Sequence, residues 1–308
     1  MERSSLLDLF DSEDQKVLTE SQPKNKVVIF DTTNAIYRSV FSAIYMNKED
    51  NEKFYFFRHL FINSIFQTIL MFKPVKVIMA LDERPSWRYE VYKDYKCNRK
   101  AGRDAAIVDF EKFFPILNTF MDQFKETFTK ICVLSVPRSE ADDLIAILCK
   151  DILTDDTTEK IIISNDSDLH QLINKNTKQY NPLTKKMVEC LNPKKELDIK
   201  ILTGDKTDSI PPVRRKVGEV TAGKILDNGL DLFLNESEEN KQNYIRNKKL
   251  IDLNFIPENI KQNIINSYNN YKLTNMSGQK IMDFFIMNKL NKLMDNWTSM
   301  SESIKSLN

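Results

Sequence analysis

Four short apolar runs, separated by segments with helical spacing, constrain the fold of this chain more than any other feature. They are rich in β-branched residues and continuously apolar, which is typical of parallel strands that are buried on both faces. Their alternation with helices predicts an α/β fold with a mainly parallel central sheet. The runs span residues 26–31, 75–82, 131–136 and 159–164.

Acidic side chains follow these strands or begin the helices after them. Asp31 and Asp82 end the first two runs, and Asp166 follows the fourth. Sites in open α/β sheets form outside the carboxyl ends of the strands, so we expect these acids to be neighbours. The candidate metal ligands are Asp31, Asp82, Glu140, Asp142, Asp143, Asp166, Asp168, Asp205 and Asp208.

The stretch Arg138–Leu144 carries three of these acids in four positions. Alone, it has a structural interpretation, because Ser139 is a suitable N-cap and a helix N-terminus stabilises acidic side chains. Two unit charges about 4 Å apart nevertheless repel by about 1 kcal/mol even in water, and a divalent cation would make the crowding favourable. The acids from other strands favour the metal interpretation.

Oxygen-only ligands favour Mg²⁺ or Mn²⁺ over zinc. Two such ions about 3.5–4 Å apart can stabilise the attacking and leaving oxygens of a phosphoryl displacement. We therefore expect two Mg²⁺ ions, with Mn²⁺ able to substitute. Only two histidines are present, which disfavours zinc and histidine-based catalysis. The sequence has neither a Walker A loop nor GxGxxG, so it does not support nucleotide hydrolysis of those kinds.

The segment 84–103 combines seven basic and two acidic residues with four interleaved aromatic side chains. Cations that contact phosphates and rings that stack on bases suit a nucleic-acid strand, whereas a solvated charged face would not need the rings. We expect residues 84–125 to form a helical arch over the strand ends. Candidate nucleic-acid contacts there are Arg84, Arg88, Tyr92, Lys93, Tyr95 and Arg103.

A second basic region precedes residues 218–226, which resemble the second half of a helix-hairpin-helix. Such an element directs backbone N–H groups at a phosphate. Further candidate contacts are Arg214, Arg215, Lys216, Gly218 and Lys224. The predicted organisation is a flexible arm (1–24), an α/β core (25–204) and a helical C-terminal DNA-binding subdomain (205–308).

Net charge and the cysteine pattern limit the kinds of partner and the cellular compartment that we expect. The net charge is +1, so affinity for nucleic acid must come from local patches. The four cysteines are widely spaced, so we expect no disulfide framework and a reducing cytoplasm. No apolar run approaches the roughly 20 residues that span a bilayer, and we expect neither a membrane partner nor a secretory signal.

The arm contains one apolar hexad, Ser5–Phe10. It resembles the linear motif with which bacterial replication proteins dock on the sliding clamp, although Leu6 stands where Gln is usual. A turn that packs on the body of the protein is the alternative interpretation. The candidate clamp contacts are Leu6, Leu7, Leu9 and Phe10.

As a set, the motifs resemble the 5′-nuclease superfamily of flap endonucleases and 5′–3′ exonucleases, and within it the T-even phage type of ribonuclease H. Similarity covers about residues 26–226 and continues through 250–260 and 266–273. The shared motifs are Asp31 and Asp82 at strand ends, Tyr-Lys-x-x-Arg at 95–99, Glu-Ala-Asp-Asp at 140–143, Ser-x-Asp-x-Asp at 164–168 and Gly-Asp-x-x-Asp at 204–208.

The resemblance implies a PIN/5′-nuclease-like fold and metal-dependent hydrolysis of RNA·DNA hybrids and of 5′-flap or duplex DNA. It implies removal of RNA primers and flaps in lagging-strand replication, by a monomer in the cytoplasm of a phage-infected bacterial cell. A sliding clamp and a single-stranded-DNA-binding protein are implied partners.

The resemblance also implies residue roles. Lys96 and Arg99 would contact the scissile phosphate, and Glu140 would orient bound waters. A first metal would be held by Asp31, Asp82, Asp142, Asp143 and Asp166, and a second would be held or supported by Asp168, Asp205 and Asp208.

Two other interpretations stay open. One is a PIN-like ribonuclease that acts on RNA alone, against which the basic aromatic segment and Gly-Asp-x-x-Asp argue. The other is a DNA-structure-binding protein without catalysis, against which the retention of every expected acid argues. Lys216-Val217-Gly218 replaces the usual Gly-Ile-Gly turn, so we expect basic side chains, rather than a monovalent cation, to serve phosphate binding there.

Overall fold

The computed structural model describes residues 25–46, 50–99, 109–295 and 297–307. Outside these ranges lie the predicted arm, with the candidate clamp contacts Leu6, Leu7, Leu9 and Phe10, and Arg103 of the basic segment.

Six strands form one sheet in the order β3-β2-β1-β4-β5-β6. Neighbours from β3 to β5 pair in parallel, and only β6 is antiparallel to its neighbour. The mainly parallel sheet predicted from the apolar runs is thereby confirmed. The strands are β1 (Asn25–Asp31), β2 (Lys76–Leu81), β3 (Cys132–Ser135), β4 (Thr158–Ile163), β5 (Thr177–Asn181) and β6 (Lys186–Met187).

Helices connect and follow these strands. A π-helical turn, Leu148–Ile152, directly follows the helix Ala141–Ile147, and a 3₁₀ helix, Ser167–Leu172, follows β4. Within the described ranges, no helix is long and apolar enough to cross a membrane. The α-helices are α1 (Thr32–Met46), α2 (Asp50–Phe72), α3 (Arg88–Val91), α4 (Phe110–Thr127), α5 (Ala141–Ile147), α6 (Pro193–Thr203), α7 (Glu219–Asn228), α8 (Leu230–Asn235), α9 (Glu238–Ile251), α10 (Glu258–Asn270), α11 (Gly278–Met287), α12 (Asn291–Asp295) and α13 (Trp297–Lys305).

Alternate residues of the central strands face two apolar clusters on opposite sides of the sheet. On β1, Val28 and Phe30 join the first cluster, with α1, α2 and α4. Val27 and Ile29 join the second, with α5 and α10. Burying each such side chain contributes about 1.5–3 kcal/mol, so a continuously apolar strand is stable only between two helical layers.

Helix α4 packs on the core, in contrast to the predicted arch over 84–125. Phe113, Phe120 and Phe124 are at most 1% exposed. Phe57 of α2 makes edge-to-face contacts with Phe113 and Phe120, and Phe284 of α11 makes one with Phe124. The helical spacing of these phenylalanines is that of a core stripe, so this half of the predicted arch belongs to the first cluster.

The chain from residue 205 onward contributes to each of the three apolar clusters that the described residues form. Helices α6 to α9 bury a third cluster together with Tyr95. Helix α10 joins the second cluster, and α11 to α13 pack in the first beside α2 and α4. Helices α6 and α7 flank the loop 204–218, and residues 218–226 lie at its end and in α7. That these residues belong to a helix-hairpin-helix-like element stays a prediction.

Candidate active site

The strand order explains why acidic side chains from distant parts of the chain meet. Strands β2, β1 and β4 are neighbours, so Asp82, Asp31 and Asp166 come to the same edge. The chain moves from β1 towards β3 and then returns to the other side of β1 with β4, and crevices form at such reversals. A cavity of about 350 Å³ there is lined by Asp31, Asp82, Glu140, Asp142 and Asp166.

Asp31 is buried at the centre of this edge and is 5% exposed. Its Oδ2 accepts a hydrogen bond from the Ser164 hydroxyl at 2.8 Å, and its Oδ1 accepts one from the Asn34 N–H at 3.1 Å. Burial raises the pKa of Asp31 to about 7, and the Asp82 carboxylate adds to the rise although the Ser164 hydrogen bond opposes it. Without a cation, the ionised form of Asp31 is therefore disfavoured.

Asp82 and Asp142 share this environment. Asp82 Oδ1 accepts the Ala141 N–H at 2.8 Å, which ties the end of β2 to the start of α5. Burial and the Glu140 carboxylate raise the pKa of Asp82. Burial, and then the carboxylates of Asp166 and Asp31, raise the pKa of Asp142 well above its usual range. The Lys96 ammonium opposes the rise at both groups without cancelling it, so a divalent cation would relieve the remaining repulsion.

Glu140, in contrast to Asp82 and Asp142, is surrounded by hydrogen-bond donors, two of them cationic. Its Oε1 accepts from Lys96 Nζ at 2.6 Å, and its Oε2 accepts from the Tyr95 hydroxyl at 2.8 Å and from Arg88 Nη1 at 3.1 Å. Burial favours the protonated form, but the Lys96 ammonium and the Arg88 guanidinium lower the pKa of Glu140 to about 2. Three donors already hold this carboxylate, which suits an indirect role towards a metal.

Asp143 was predicted to be a metal ligand, but in the structure its oxygens accept hydrogen bonds from protein groups. This side chain is 0% exposed, and Arg88 donates to both of its oxygens, at 2.8 and 3.0 Å. Its Oδ2 also accepts from Trp87 Nε1 at 3.1 Å and from the Glu140 N–H at 2.9 Å. Asp143 therefore anchors Arg88 and the first turn of α5, where Glu140, rather than the predicted Ser139, is the N-cap.

Burial also changes the interpretation of the basic aromatic segment. Arg88 is 3% exposed and donates to the Leu250 carbonyl in addition to its carboxylate partners. Tyr95 is 2% exposed, and its hydroxyl lies within hydrogen-bond distance of Glu140 and Asp208. Neither side chain can contact a nucleic acid as predicted. Arg84 and Lys93 are exposed, and half-buried Tyr92 lies under the Arg246 guanidinium.

Lys96 and Arg99 both line the carboxylate cavity. Arg99 Nη2 donates to Asp208 Oδ1 at 2.6 Å, and Lys96 Nζ is 3.6 Å from Asp208 Oδ2. Lys96 has a φ of 55°, and its N–H donates to the Asp208 carbonyl at 2.8 Å. Surrounding contacts must hold a residue in this left-handed conformation, and such strain is concentrated at functional sites. Asp208 thus positions both basic side chains.

Asp168 and Asp205 line a second cavity, of about 1230 Å³, and not the carboxylate cavity. Lys200 of α6 forms an ion pair with Asp168 and another with Asp205, at 2.9 Å from Oδ2. Burial would raise the pKa of Asp205, but the Lys200 ammonium lowers it. An ammonium therefore lies between two carboxylates predicted to hold a cation.

Sequence reasoning did not identify Lys200 or Arg38. Arg38 lines the carboxylate cavity from α1, and its Nη1 donates to Asn34 Oδ1 at 3.3 Å. Arg38 lies four residues after Asn34, and residues with this spacing share one face of a helix. The spacing could therefore have placed Arg38 near Asn34 at the start of α1. Lys200 lies five residues before Asp205 in a helix with several lysines, and no motif marks it.

The second basic region is exposed, at Arg214, Arg215, Lys216, Gly218 and Lys224. Arg214 forms an ion pair with Glu236. Lys216 and Gly218 also line the larger cavity.

Two protein-family models match most of the chain. Residues 26–201 match the family described as 5′-3′ exonuclease, N-terminal resolvase-like domain, and residues 226–303 match T4 RNase H, C terminal. Ribonuclease H of Enterobacteria phage T4 is 33% identical over 279 residues, which are 82% of this chain and 90% of that protein. A 5′-3′ exonuclease of Buchnera aphidicola is 29% identical over 219 residues, 67% of this chain and 71% of that protein.

Solved structures from bacteriophage T5 have a similar fold. A flap endonuclease in complex with DNA and metal ions has a TM-score of 0.61 at 18% identity, covering 86% of this chain and 100% of that chain. A 5′-exonuclease with bound zinc has a TM-score of 0.58 at 19% identity, covering 86% and 98%. The sequence matches and this fold together show that the chain belongs to the 5′–3′ exonuclease family of nucleases.

Proposed function

We propose that this protein is a divalent-metal-dependent 5′-nuclease that hydrolyses phosphodiester bonds of RNA·DNA hybrids and of 5′-flap or duplex DNA. The observation that carries the proposal is the crowding of strand-end carboxylates, with raised pKa values at Asp31, Asp82 and Asp142, beside two cationic side chains. An acidic cavity alone would repel a phosphate, whereas cations within it would attract one.

The donor set fits Mg²⁺, with Mn²⁺ as a substitute, because all of its ligand atoms are carboxylate oxygens. One ion would be held by Asp31, Asp82, Asp142 and Asp166. A second would be held or supported by Asp168, Asp205 and Asp208. It would displace Lys200 from Asp168 and Asp205, and Asp208, which Arg99 and Lys96 already contact, would support it. When bound, such ions lower the pKa of a water nucleophile and stabilise charge on the phosphoryl oxygens. Asp143 is left out of this assignment, since Arg88 and Trp87 occupy its oxygens.

Lys96 and Arg99 are the side chains that we assign to the scissile phosphate. Both reach the cavity from a segment whose backbone is anchored on Asp208. Donors that are already oriented towards a developing charge need little reorganisation during the reaction. Glu140 orients the Lys96 ammonium, and the buried Arg88 and Tyr95 in turn fix Glu140.

The exposed basic side chains would hold the nucleic acid. Arg84 and Lys93 lie in the segment that leads to the cavity. A second group is formed by Arg214, Arg215 and Lys216, with Gly218 as the N-cap of α7 and Lys224 in the middle of that helix. Contacts of this kind bind the phosphate backbone without reading sequence, so affinity should fall steeply with salt.

The biological role that we assign is removal of RNA primers and 5′ flaps from the lagging strand, by a monomer in the cytoplasm of a phage-infected cell. The similarity to the phage T4 protein named ribonuclease H supports this context. The hexad that includes Leu9 and Phe10 would bind a sliding clamp, and a single-stranded-DNA-binding protein is a second proposed partner. Loss of clamp pull-down on changing Leu9 and Phe10 to Ala would support the clamp assignment, and unchanged pull-down would remove it.

A cleavage assay with three 5′-labelled substrates tests the proposal. A 5′ flap, a nicked duplex and an RNA·DNA hybrid are each incubated with Mg²⁺ or with EDTA. We expect Mg²⁺-dependent products from wild type and none from Asp166→Asn. Asp122→Asn is the matched control, because Asp122 is exposed and its nearest ion-pair partner, Lys125, is 4.0 Å away. If wild type cleaves no DNA-containing substrate in a Mg²⁺-dependent manner, the proposed function is refuted. Full activity of Asp166→Asn would refute the site assignment.

A further inference from the structure

Three unlike donors, His170, Cys190 and Glu196, meet at the larger cavity, which His170 and Glu196 line. Their ligand atoms all lie within 4.8 Å of one another. His170 Nδ1 is 3.0 Å from Glu196 Oε2, and the Cys190 thiol is hydrogen-bonded to the Glu196 carboxylate. We propose that these side chains bind a thiophilic divalent ion of the zinc class, at a site separate from the carboxylate ligands of the nuclease centre.

The donor set distinguishes this site chemically. Zinc accepts thiolate sulfur, imidazole nitrogen and carboxylate oxygen, and three protein ligands leave one position for water. Tetrahedral coordination places ligand atoms roughly 3.3–3.8 Å apart, so side-chain movements of no more than about 1 Å would complete it. Mg²⁺ prefers oxygen ligands and would not compete strongly for the sulfur.

Separate elements of the fold fix the three donors. His170 lies on the 3₁₀ helix, Cys190 precedes α6, and Glu196 lies in the first turn of α6. Burial and the Glu196 carboxylate raise the pKa of Cys190 to about 11, although the Asn192 N–H donates to its sulfur. The free thiol is therefore protonated, and a coordinated dication would deprotonate it. The Glu196 side chain is 50% exposed and that of His170 is 24% exposed, so an ion can enter from solvent.

Bound metal would tie together two elements that supply residues to the nuclease centre. The 3₁₀ helix carries Asp168, and α6 carries Lys200, its ion-pair partner. An ion on His170 and Glu196 would restrain these elements relative to each other. The inference goes beyond the proposed function, and its test does not require nuclease activity.

Cobalt titration of the full chain in saturating Mg²⁺ tests the site, since Mg²⁺ occupies oxygen-only positions. We expect a thiolate-to-cobalt charge-transfer band that saturates at about one equivalent and disappears when Zn²⁺ is added. Cys97→Ser removes an exposed thiol and is the matched control, which should keep the band. Cys190→Ser should abolish it. His170→Ala and Glu196→Ala should weaken Co²⁺ binding by more than about 100-fold, because even loss of outer-shell partners costs about 10- to 100-fold.

Absence of the band in wild type, or its persistence in Cys190→Ser, would overturn the proposal. Thermal unfolding gives a second readout if Cys190→Ser does not fold. Zn²⁺ should raise the Tm of wild type and of Cys97→Ser in saturating Mg²⁺, and should not raise that of His170→Ala. An equal rise in all three proteins would likewise overturn it.

Discussion

Asp142 and Asp143 are adjacent in sequence, yet replacing each by Asn should have opposite effects on stability. Asp143 is 0% exposed and accepts hydrogen bonds from Arg88, Trp87 and the Glu140 N–H. Asp142 lines the cavity, where burial and the carboxylates of Asp166 and Asp31 disfavour its charge. Asp143→Asn should therefore destabilise the cation-free protein, and Asp142→Asn should stabilise it at neutral pH.

The magnitude for Asp143→Asn follows from its contacts. Breaking a buried ion pair by removing one partner costs about 3–5 kcal/mol, because the remaining charge stays buried. Arg88 keeps Glu140 and the Leu250 carbonyl as acceptors, which favours the lower end, about 3 kcal/mol. Binding of divalent cations should be retained by Asp143→Asn and lost in Asp142→Asn, since only Asp142 lines the cavity.

Urea unfolding in EDTA measures the stability of both variants, and calorimetric titration with Mn²⁺ measures cation binding. Asp122→Asn is the control and should change stability by no more than about 0.5 kcal/mol, as expected for an exposed side chain. Similar destabilisation by Asp142→Asn and by Asp143→Asn would contradict the reasoning. So would loss of Mn²⁺ binding by an Asp143→Asn variant that keeps its stability.

Three further predictions concern the charges of the site. First, in EDTA the folded state keeps a proton on Asp31 that the unfolded state has released, so urea midpoints should fall as pH rises from about 4 to about 7. A pKa rise of about 3 corresponds to at most about 4 kcal/mol, saturating Mg²⁺ should remove most of the loss, and a flat profile in EDTA would contradict the argument. Second, Lys200→Gln should tighten Mn²⁺ binding, because the cation between Asp168 and Asp205 is removed; calorimetry showing equal or weaker binding would oppose this. Third, Lys96→Ala should lower the single-turnover cleavage rate by about 100- to 1000-fold, and a change below tenfold would remove the phosphate role.

The sheet and the positions of its acids follow from short-range sequence patterns. A continuously apolar strand must be covered on both faces, and an acid at its carboxyl end then lies at the sheet edge. This logic places Asp31, Asp82 and Asp166 on one cavity without knowledge of strand order.

The partners of charged side chains depend on contacts between distant segments. Arg88 and Tyr95 lie in a segment whose composition indicates solvent and nucleic acid, but Asp143, Glu140 and Leu250 enclose them from elsewhere in the chain. Composition cannot distinguish a buried arginine from an exposed one when the partner is about 50 or more residues away. The same limit applies to the phenylalanines of α4, which face α2 and α11.

The hydrogen bond from Trp87 to Asp143 gives the site an optical reporter. The chain has two tryptophans. Trp297 contacts Phe66 and Phe285 in the first cluster. The Trp87 indole, 4% exposed, has the Arg88 guanidinium 4.7 Å from its ring centre. With Trp297→Phe, the remaining tryptophan emission would come from the network that holds Glu140, so fluorescence lifetime and quenching would follow its rearrangement without an attached dye.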